Sequence, residues 1–404
     1  MAKKKMQRWD DYKLPTEGLA VVHDKNNFCY GYIDMTGQEV IAPQWNGAEP
    51  FSDGKAAVMD DSYKKGYIDR TGKLVIACQW EEAGPFSEGR AAVGEGSEKA
   101  LIDETGKVLT DYKYYKIEEF ADSLAVVQPD WDVSGVIDRD GHEVIPSVHS
   151  QIRTFSDGRF AVKNEDGLWG YYDGTGRCVV PHKYEGAESY HCGLAFVKDD
   201  SGKWGVIDLD GNVVAPCQWN ETNEEFKGGY AAVMDEKRFW GIIDKTGQLI
   251  ESCKWWKIKL WNEEGLFASV QNDKKRWGAI DCNGKETLPC RWGSWFCISE
   301  GLLVVEDVDA DPRSYQVIDP QGNVVIGPEK FRSADGSLLQ PNSGFHDGLL
   351  QIQDYGTSKC GYMNSQGEIV IPCKWKTAWD FENGVAGVMK GKNTQLIDKN
   401  GNCL

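Results

Sequence analysis

The sequence predicts an all-β protein, a tandem array of about eleven three-stranded antiparallel meanders of about 35 residues each. Three observations carry that prediction. The stretch FSDGKAAVMDDSYKKGYIDRTGKLVIA at 51–77 returns at 86–108 as FSEGRAAVGEGSEKALIDETGKVL. An apolar run ending in Asp, or once in Asn, with glycine three residues later, recurs at Asp34, Asp69, Asp103, Asp138, Asp173, Asp208, Asp244, Asp281, Asp319, Asn364 and Asp398. The intervals are 34–38 residues, with a single one of 45. Within each unit the apolar residues fall in runs of three to five bounded by Gly and Asp, and no 3.6-residue period is present.

Each unit opens on an aromatic-x-x-Gly turn that leads into a first strand, as in FSDGKAAV, FSEGRAAV, FSDGRFAV and FKGGYAAV. A polar segment of variable length follows, and then a second strand ending in Asp, such as WGVID. The tetrads DMTG, DRTG, DETG, DLDG, DCNG and DKNG read as hairpin turns. In them Asp accepts hydrogen bonds from amides two or three residues on, and Gly supplies a positive φ. A third strand such as KLVIA or NVVAP ends the meander. Eight residues after the turn glycine comes an aromatic: Trp45, Trp80, Tyr114, Tyr184, Trp219, Trp255, Trp292 or Trp375, with His149 and Lys330 in the same slot of two other units. About a dozen residues around this slot are expected to be irregular and to join one unit to the next.

A meander of this size cannot bury its own apolar face, so neighbouring units must cover it and the aromatics are expected in the seams between them. The units fall at about 14–49, 50–84, 85–118, 119–153, 154–188, 189–223, 224–259, 260–296, 297–343, 344–379 and 380–404, and residues 1–13 form a segment that completes or caps the array. An open, curved solenoid or superhelix is expected, with a closed propeller-like ring as the alternative. Trp9 stands nine residues before Gly18, the offset of Trp45 from Gly54, and the last unit stops short of its closing aromatic. Lys5–Trp9 would supply the missing positions if the ends met. About nine extra residues lie within 329–343, between Gly322 and Gly348, and read as a surface loop or part of a binding face.

Composition narrows the partners. With 45 basic and 63 acidic residues the net charge is −18, which disfavours phosphate backbones and anionic lipid. No apolar stretch approaches a membrane span, the cationic start MAKKKMQRWDDYK lacks the apolar core of a secretory signal, and Ala2 excludes myristoylation. Among twelve cysteines there is no CxxC pair. Cys78, Cys217, Cys253, Cys290 and Cys373 share one register, six residues after a turn glycine, where other units carry Pro43, Tyr112, Ser147, His182 or Pro328. That tolerance marks a structural slot, and unpaired thiols at this density suit a reducing cytoplasm.

No cofactor, metal or catalytic residue is expected. DLDG at 208–211 resembles a fragment of a calcium loop but lacks the later ligands. His23, His142, His149, His182, His191 and His346 occupy different repeat positions without paired ligand spacing. No nucleophile elbow or phosphate-binding glycine loop occurs. Most tryptophans sit in register as packing residues. The surplus ones, Trp256, Trp261 and Trp295 with Phe296, are candidate partner contacts.

A literal Trp-Gly opens the middle strand at Trp169-Gly170, Trp204-Gly205, Trp240-Gly241 and Trp277-Gly278, followed by I-D-x-x-G-x-x-V-like sequence. This pattern resembles the WG, or KWG, repeat family over about residues 14–404. Departures occur at Tyr30-Gly31, Lys65-Gly66, Ala100, Gln316 and Gln395. The resemblance implies a bacterial repeat scaffold with no catalytic residues to transfer. A cytoplasmic, non-enzymatic protein that binds another protein along an extended acidic surface is therefore expected. The alternative is a glycan-binding module using the surplus tryptophans; nucleic acid and membrane are not expected partners.

If Trp45, Trp80, Trp169, Trp204, Trp219, Trp240, Trp255, Trp277, Trp292 and Trp375 fill the seams, truncating one leaves a cavity. Trp204→Ala or Trp219→Ala should cost roughly 3–5 kcal/mol where the ring is buried. Equilibrium denaturation of either variant beside the parent measures it, and an unchanged midpoint contradicts the packing role.

Overall fold

The computed structural model describes residues 9–404 apart from 14, 261–266, 282, 294–297, 311–312 and 392. Among the described residues, eleven antiparallel sheets of three or four strands follow one another in chain order. Among the described residues the one helical element is a 3-10 turn at Pro328–Phe331. The chain divides into two compact units. Unit 1 comprises residues up to Pro129, Arg139–Gly141 and Arg332–Leu404, and unit 2 comprises Asp130–Asp138 and His142–Phe331.

In unit 1, sheet 1 is Trp9–Tyr12, Leu19–Asp24, Cys29–Asp34 and Glu39–Trp45, and sheet 2 is Gly47–Ala48, Lys55–Met59, Lys65–Asp69 and Leu74–Trp80. Sheet 3 holds Glu82–Ala83, Arg90–Glu95 and Glu98–Asp103; sheet 10 holds Leu339–His346, Leu349–Asp354, Lys359–Asn364 and Ile369–Trp375. Sheet 11 is Thr377–Ala378, Val385–Lys390 and Asn393–Asp398. In unit 2, sheet 5 is Gln151–Ile152, Arg159–Lys163, Trp169–Asp173 and Cys178–Tyr184. Sheet 6 is Gly186–Ala187, Leu194–Lys198, Trp204–Asp208 and Val213–Trp219; sheet 7 is Glu221–Thr222, Tyr230–Met234, Trp240–Asp244 and Leu249–Trp255. The expected three strands are present except in sheets 3 and 11, where isolated bridges stand in place of the third, but the residues just past the closing aromatic are not irregular. They form a short additional strand, as where Gly47 and Ala48 pair with Met59 and Val58.

Local chemistry explains both turns of the meander. In FSDGK, Asp53 and Gly54 are both left-handed (φ 53° and 72°), and Ser52 and Lys55 exchange two backbone hydrogen bonds. This is the two-residue turn whose twist matches a hairpin. In DRTGK, Asp69 Oδ1 accepts from the Thr71 amide (2.9 Å), the Thr71 hydroxyl (2.6 Å) and the Lys73 amide (3.1 Å), while Gly72 takes φ 85°. The donated hydrogen bonds, that of the threonine hydroxyl foremost, hold the Asp69 carboxyl below its ordinary value. At Asp173 the same set, with Arg177 added, lowers it to about 2.

The side chains of the first turn belong to the next sheet. Ser52 Oγ donates to the Phe86 carbonyl at 2.7 Å, and Asp53 accepts from the Gly89 amide at 2.6 Å. Ser87 and Glu88 repeat this to Phe120 and Ser123. In unit 2, Ser156 donates to the Tyr190 carbonyl and Asp157 accepts from the Gly193 amide. Further in, Tyr32, Tyr67 and Tyr362 of unit 1 and Tyr171 of unit 2 each donate their hydroxyl to a carbonyl 17 residues on, at 2.6–2.8 Å. Each ring also packs on the aromatic that opens the following unit: Phe51, Phe86, Phe381 and Tyr190 lie 4.7–4.9 Å away between centroids. The core is thus a series of seam clusters, as expected. One of them joins Trp169, Tyr171 and Tyr184 of sheet 5 to Ala187, Ala195 and Val197 of sheet 6.

The Trp-Gly dipeptide has a steric origin. Trp204 pairs with Trp219 and Val206 with Ala215, so Pro216–Gln218 bulge outward opposite the single residue Gly205. A Cβ on Gly205 would lie 2.8 Å from the Ala215 carbonyl oxygen and 2.8 Å from Cys217 Sγ. At Gly31, Gly66, Gly170 and Gly361 the corresponding carbonyl would be 2.5 Å away. The recurrent cysteine is the bulge residue over this glycine. Its thiol reaches across the glycine to a carbonyl of the strand beyond, Cys217 to Val197 at 3.8 Å and Cys78 to Val58 at 3.9 Å. Burial pushes the thiols of Cys217, Cys253, Cys290 and Cys373 up to about 11, away from thiolate chemistry at neutral pH.

The expectation of an open solenoid is overturned within unit 1. Trp9 packs in one cluster with Ala20, Val22 and Ile33 of sheet 1 and with Leu396 and Leu404 at the other end of the chain. The turn glycines show that this contact is of the ordinary kind. Gly72 of sheet 2 sits against Ile41 of sheet 1, and Gly401 of sheet 11 against Ile371 of sheet 10. Gly37 of sheet 1 sits in the same way against Leu404. The first and last sheets are therefore neighbours, as the propeller-like alternative requires and a solenoid with two free ends does not allow.

Gly205→Ala should lower stability by roughly 1–3 kcal/mol, because the Ala215 carbonyl and the Cys217 amide occupy the space beside the Cys217 thiol and cannot rotate away as a side chain could. Urea denaturation of the full chain measures this, and an unaltered midpoint contradicts the bulge-over-glycine account.

Candidate functional site

The two edges of each sheet differ in chemistry. One edge carries both turns described above, whose carboxylates are engaged with backbone amides. The other carries the hairpin tip between the two long inner strands, where composition varies from unit to unit. In sheet 2 the tip is Asp60–Lys64: Asp60 Oδ1 accepts from the Ser62 amide (2.9 Å) and hydroxyl (2.8 Å) and from the Lys64 amide (3.1 Å). Tyr63 then takes a left-handed φ of 61°. Sister tips hold glycine there, Gly167 at 81° and Gly202 at 76°, or Arg238 and Lys275. Phe28 occupies a left-handed position (59°) in the longer tip of sheet 1.

Side chains of substantial area stand out from these tips. In unit 1, Phe28 is 72% exposed, Tyr63 71% and Tyr355 75%; in unit 2, Trp131 is 76% exposed. Successive tips are tied together within each unit. Asn46 donates to the Asp60 carbonyl at 3.2 Å, and Glu81 accepts from the Gly96 amide at 2.9 Å and faces Lys64 at 3.5 Å. In unit 2, Lys203 reaches Asn220 at 2.6 Å and Glu236 at 3.1 Å. Part of the extra segment at 329–343 arrives at the same edge in unit 1. Residues 332–338 form a turn, and the Leu338 carbonyl accepts from the Tyr355 amide at 2.9 Å.

Of the surplus aromatics, Trp256 follows the closing Trp255, is half-exposed, and meets the tip residue Phe239 edge-on at 6.3 Å. It therefore belongs to the tip edge of unit 2. Trp261, Trp295 and Phe296 lie outside the described residues. Trp80, Trp169, Trp219, Trp255, Trp277, Trp292 and Trp375 are buried, while Trp45, Trp204 and Trp240 are partly so. Phe28, Tyr63, Trp131 and Tyr355 were not singled out by counting tryptophans. The readable signal for Tyr63 was DDSYK standing where a sister unit has DDSGK.

The calcium-like tetrad makes local bonds. Asp208 accepts from the Asp210 and Asn212 amides at 3.0 and 2.8 Å and from the Asn212 side chain at 3.0 Å. Among the described residues no group of three His, Cys, Asp or Glu side chains is placed to hold a metal ion. No described helix is long and apolar enough to cross a membrane.

Fold and edge together define a class: an all-β repeat protein of hydrogen-bonded antiparallel sheets with a Trp-Gly bulge and a variable tip edge. The chain belongs to the WG containing repeat family, whose model matches residues 30–63, 66–97, 101–128, 135–168, 169–204, 204–238, 240–275 and 361–393, more than half of the sequence. No curated protein matches. Among solved structures, BamB from Moraxella catarrhalis is similar at 13% identity and a TM-score of 0.31, covering 65% of this chain and 88% of that one. Kluyveromyces lactis Hsv2 is similar at 11% identity and 0.30, covering 68% and 97%. The tricorn protease is similar at 11% and 0.31, covering 88% of this chain and 45% of its own. Overlaps at this level carry no information about function.

Tyr63→Gly should raise stability by about 0.5–1 kcal/mol, since a left-handed exposed position favours glycine. A thermal melt measures it; a drop instead would show that the ring supports the fold.

Proposed function

We propose that this protein is a non-enzymatic scaffold that binds a protein partner along its hairpin-tip edge, with the overall acidity of the chain contributing to selectivity. The observation that carries this reading is the exposure of Phe28, Tyr63 and Tyr355 on tips of unit 1, two of them in left-handed positions that favour glycine. Exposed aromatics of this kind are the side chains that anchor protein interfaces. The placement of residues 332–338 beside Tyr355 supports the same edge, because repeat proteins put insertions on the face they use. The opposite edge is a poorer candidate, its serines and carboxylates being engaged in holding sheets together. The unpaired cysteines support residence in a reducing cytoplasm.

The test compares the parent with a Phe28→Gly/Tyr63→Gly/Tyr355→Ser variant, both used to capture proteins from the native cell lysate and both applied to a glycan array. Proteins held by the parent and lost by an equally stable variant are the expected result. Equal capture by both, or binding to glycans alone, overturns the proposal.

A further inference from the structure

At three junctions the closing aromatic of one sheet meets the bulge residue of the next. Trp219 packs with Cys253 and Trp255 with Cys290, and the Trp80 indole donates to the Tyr112 hydroxyl at 2.7 Å. Burial pushes the thiols of Cys253 and Cys290 up to about 11, so these junctions stay neutral in mildly acidic solution. One junction of unit 2 differs. The strand Glu143–His149 closes on His149, and the bulge of sheet 5 carries His182. The two imidazoles stack at 6.0 Å with an interplanar angle of 23°. Tyr172 covers both, 5.5 Å from His149 and 5.7 Å from His182.

We infer that this histidine pair makes the seam between the Glu143–His149 strand and sheet 5 acid-sensitive, a built-in device that loosens the junction when either ring takes a proton. Geometry carries the argument. His149 is buried, and Nε2 of His182 is buried without a hydrogen-bond partner, so a charge there is poorly compensated. A second positive charge would face the first across the stack. The surrounding groups offer little relief. From sheet 5, Tyr172 and Cys178 are hydrogen-bonded to each other, and burial raises both so that they stay neutral. Glu165, on the connection before Trp169, is the one carboxylate that favours a charged His149. On the His149 strand itself, Glu143 is engaged by the Ser147 hydroxyl at 3.1 Å.

Burial holds both imidazoles below their ordinary value, and the neighbouring His182 lowers His149 further, while a hydrogen bond to the Val162 carbonyl partly offsets the effect at His182. The unfolded chain takes up these protons near pH 6.5 and the folded chain only at lower pH. The stability they contribute is complete above about pH 6.5 and is lost as pH falls through the folded values.

The test uses residues that sister junctions already carry. Melting temperatures of the full chain are measured at pH 7.5, 6.5 and 5.5 for the parent, His182→Cys, and His149→Trp/His182→Cys. Imidazole resonances of His149 and His182 are titrated in the parent. The parent should lose about 2–4 °C more than the double variant across this window, with both imidazole midpoints below 6.5. If the double variant does not fold, His182→Cys alone must show a smaller loss than the parent. Equal losses in parent and folded variants, or midpoints at or above 6.5, overturn the inference.

Discussion

A hydrogen bond from one unit to the turn of the next is the constraint on which this architecture rests. The side chains of Ser52 and Asp53 do not bond within their own hairpin; they complete the one at Phe86–Gly89. Tyr67 does the same at greater depth, placing its hydroxyl on the Gly84 carbonyl and its ring on Phe86. A single unit cut from the chain would expose these groups and the apolar face beneath them. The period of about 35 residues is therefore the distance along the chain between a donor and its acceptor, as in Ser52 to Phe86. Of the extra segment after Gly322, residues 332–338 lie beside the Tyr355 tip.

The second constraint lies inside each sheet. The outer strand must turn sharply to reach the next sheet, and it does so by the bulge over the Trp-Gly glycine. Removing the Cβ at Gly205 lets Cys217 approach, and Cys217 in turn satisfies the Val197 carbonyl. The bulge slot then faces the closing aromatic of the preceding sheet, as Cys253 faces Trp219. Three motifs that look separate in sequence, Trp-Gly, the recurrent cysteine and the closing aromatic, are one packing unit.

Much of this was legible before any coordinates. Repeat number, strand identity and the two turns follow from spacing and from Asp and Gly chemistry, and the seam position of the aromatics follows from the size of a unit. The additional strand at Gly47–Ala48 was not legible, because two residues carry no alternation to read. Closure was readable only as a possibility. The offset of Trp9 from Gly18 allows the ends to meet, but whether the accumulated rotation of successive sheets brings them together is not encoded in any local motif. The tip aromatics were obscured for another reason. An exposed Tyr63 and a buried Tyr67 are both tyrosines four residues apart, and only the turn geometry separates them.

The division of labour between the edges explains where this protein is free to vary. On the edge bearing the paired turns, a change at Ser52 or Asp53 would leave a backbone group of the next unit without its partner, a cost that depends on the neighbour as much as on the site. On the tip edge, Asp60 satisfies its own turn and leaves the left-handed residue unconstrained, so glycine, tyrosine, arginine and lysine all occur there. Glycine is the residue the backbone favours, and each departure from it costs stability locally. Binding is a return that such a position can give, and tips laced through Asn46 and Glu81 would present their side chains on a rigid frame. The turn side chains that bond to the next sheet, such as Ser52 and Asp53, and the exposed tip aromatics of the proposed surface, such as Tyr63, thus lie at opposite ends of the same strands, so the second set can change without disturbing the first.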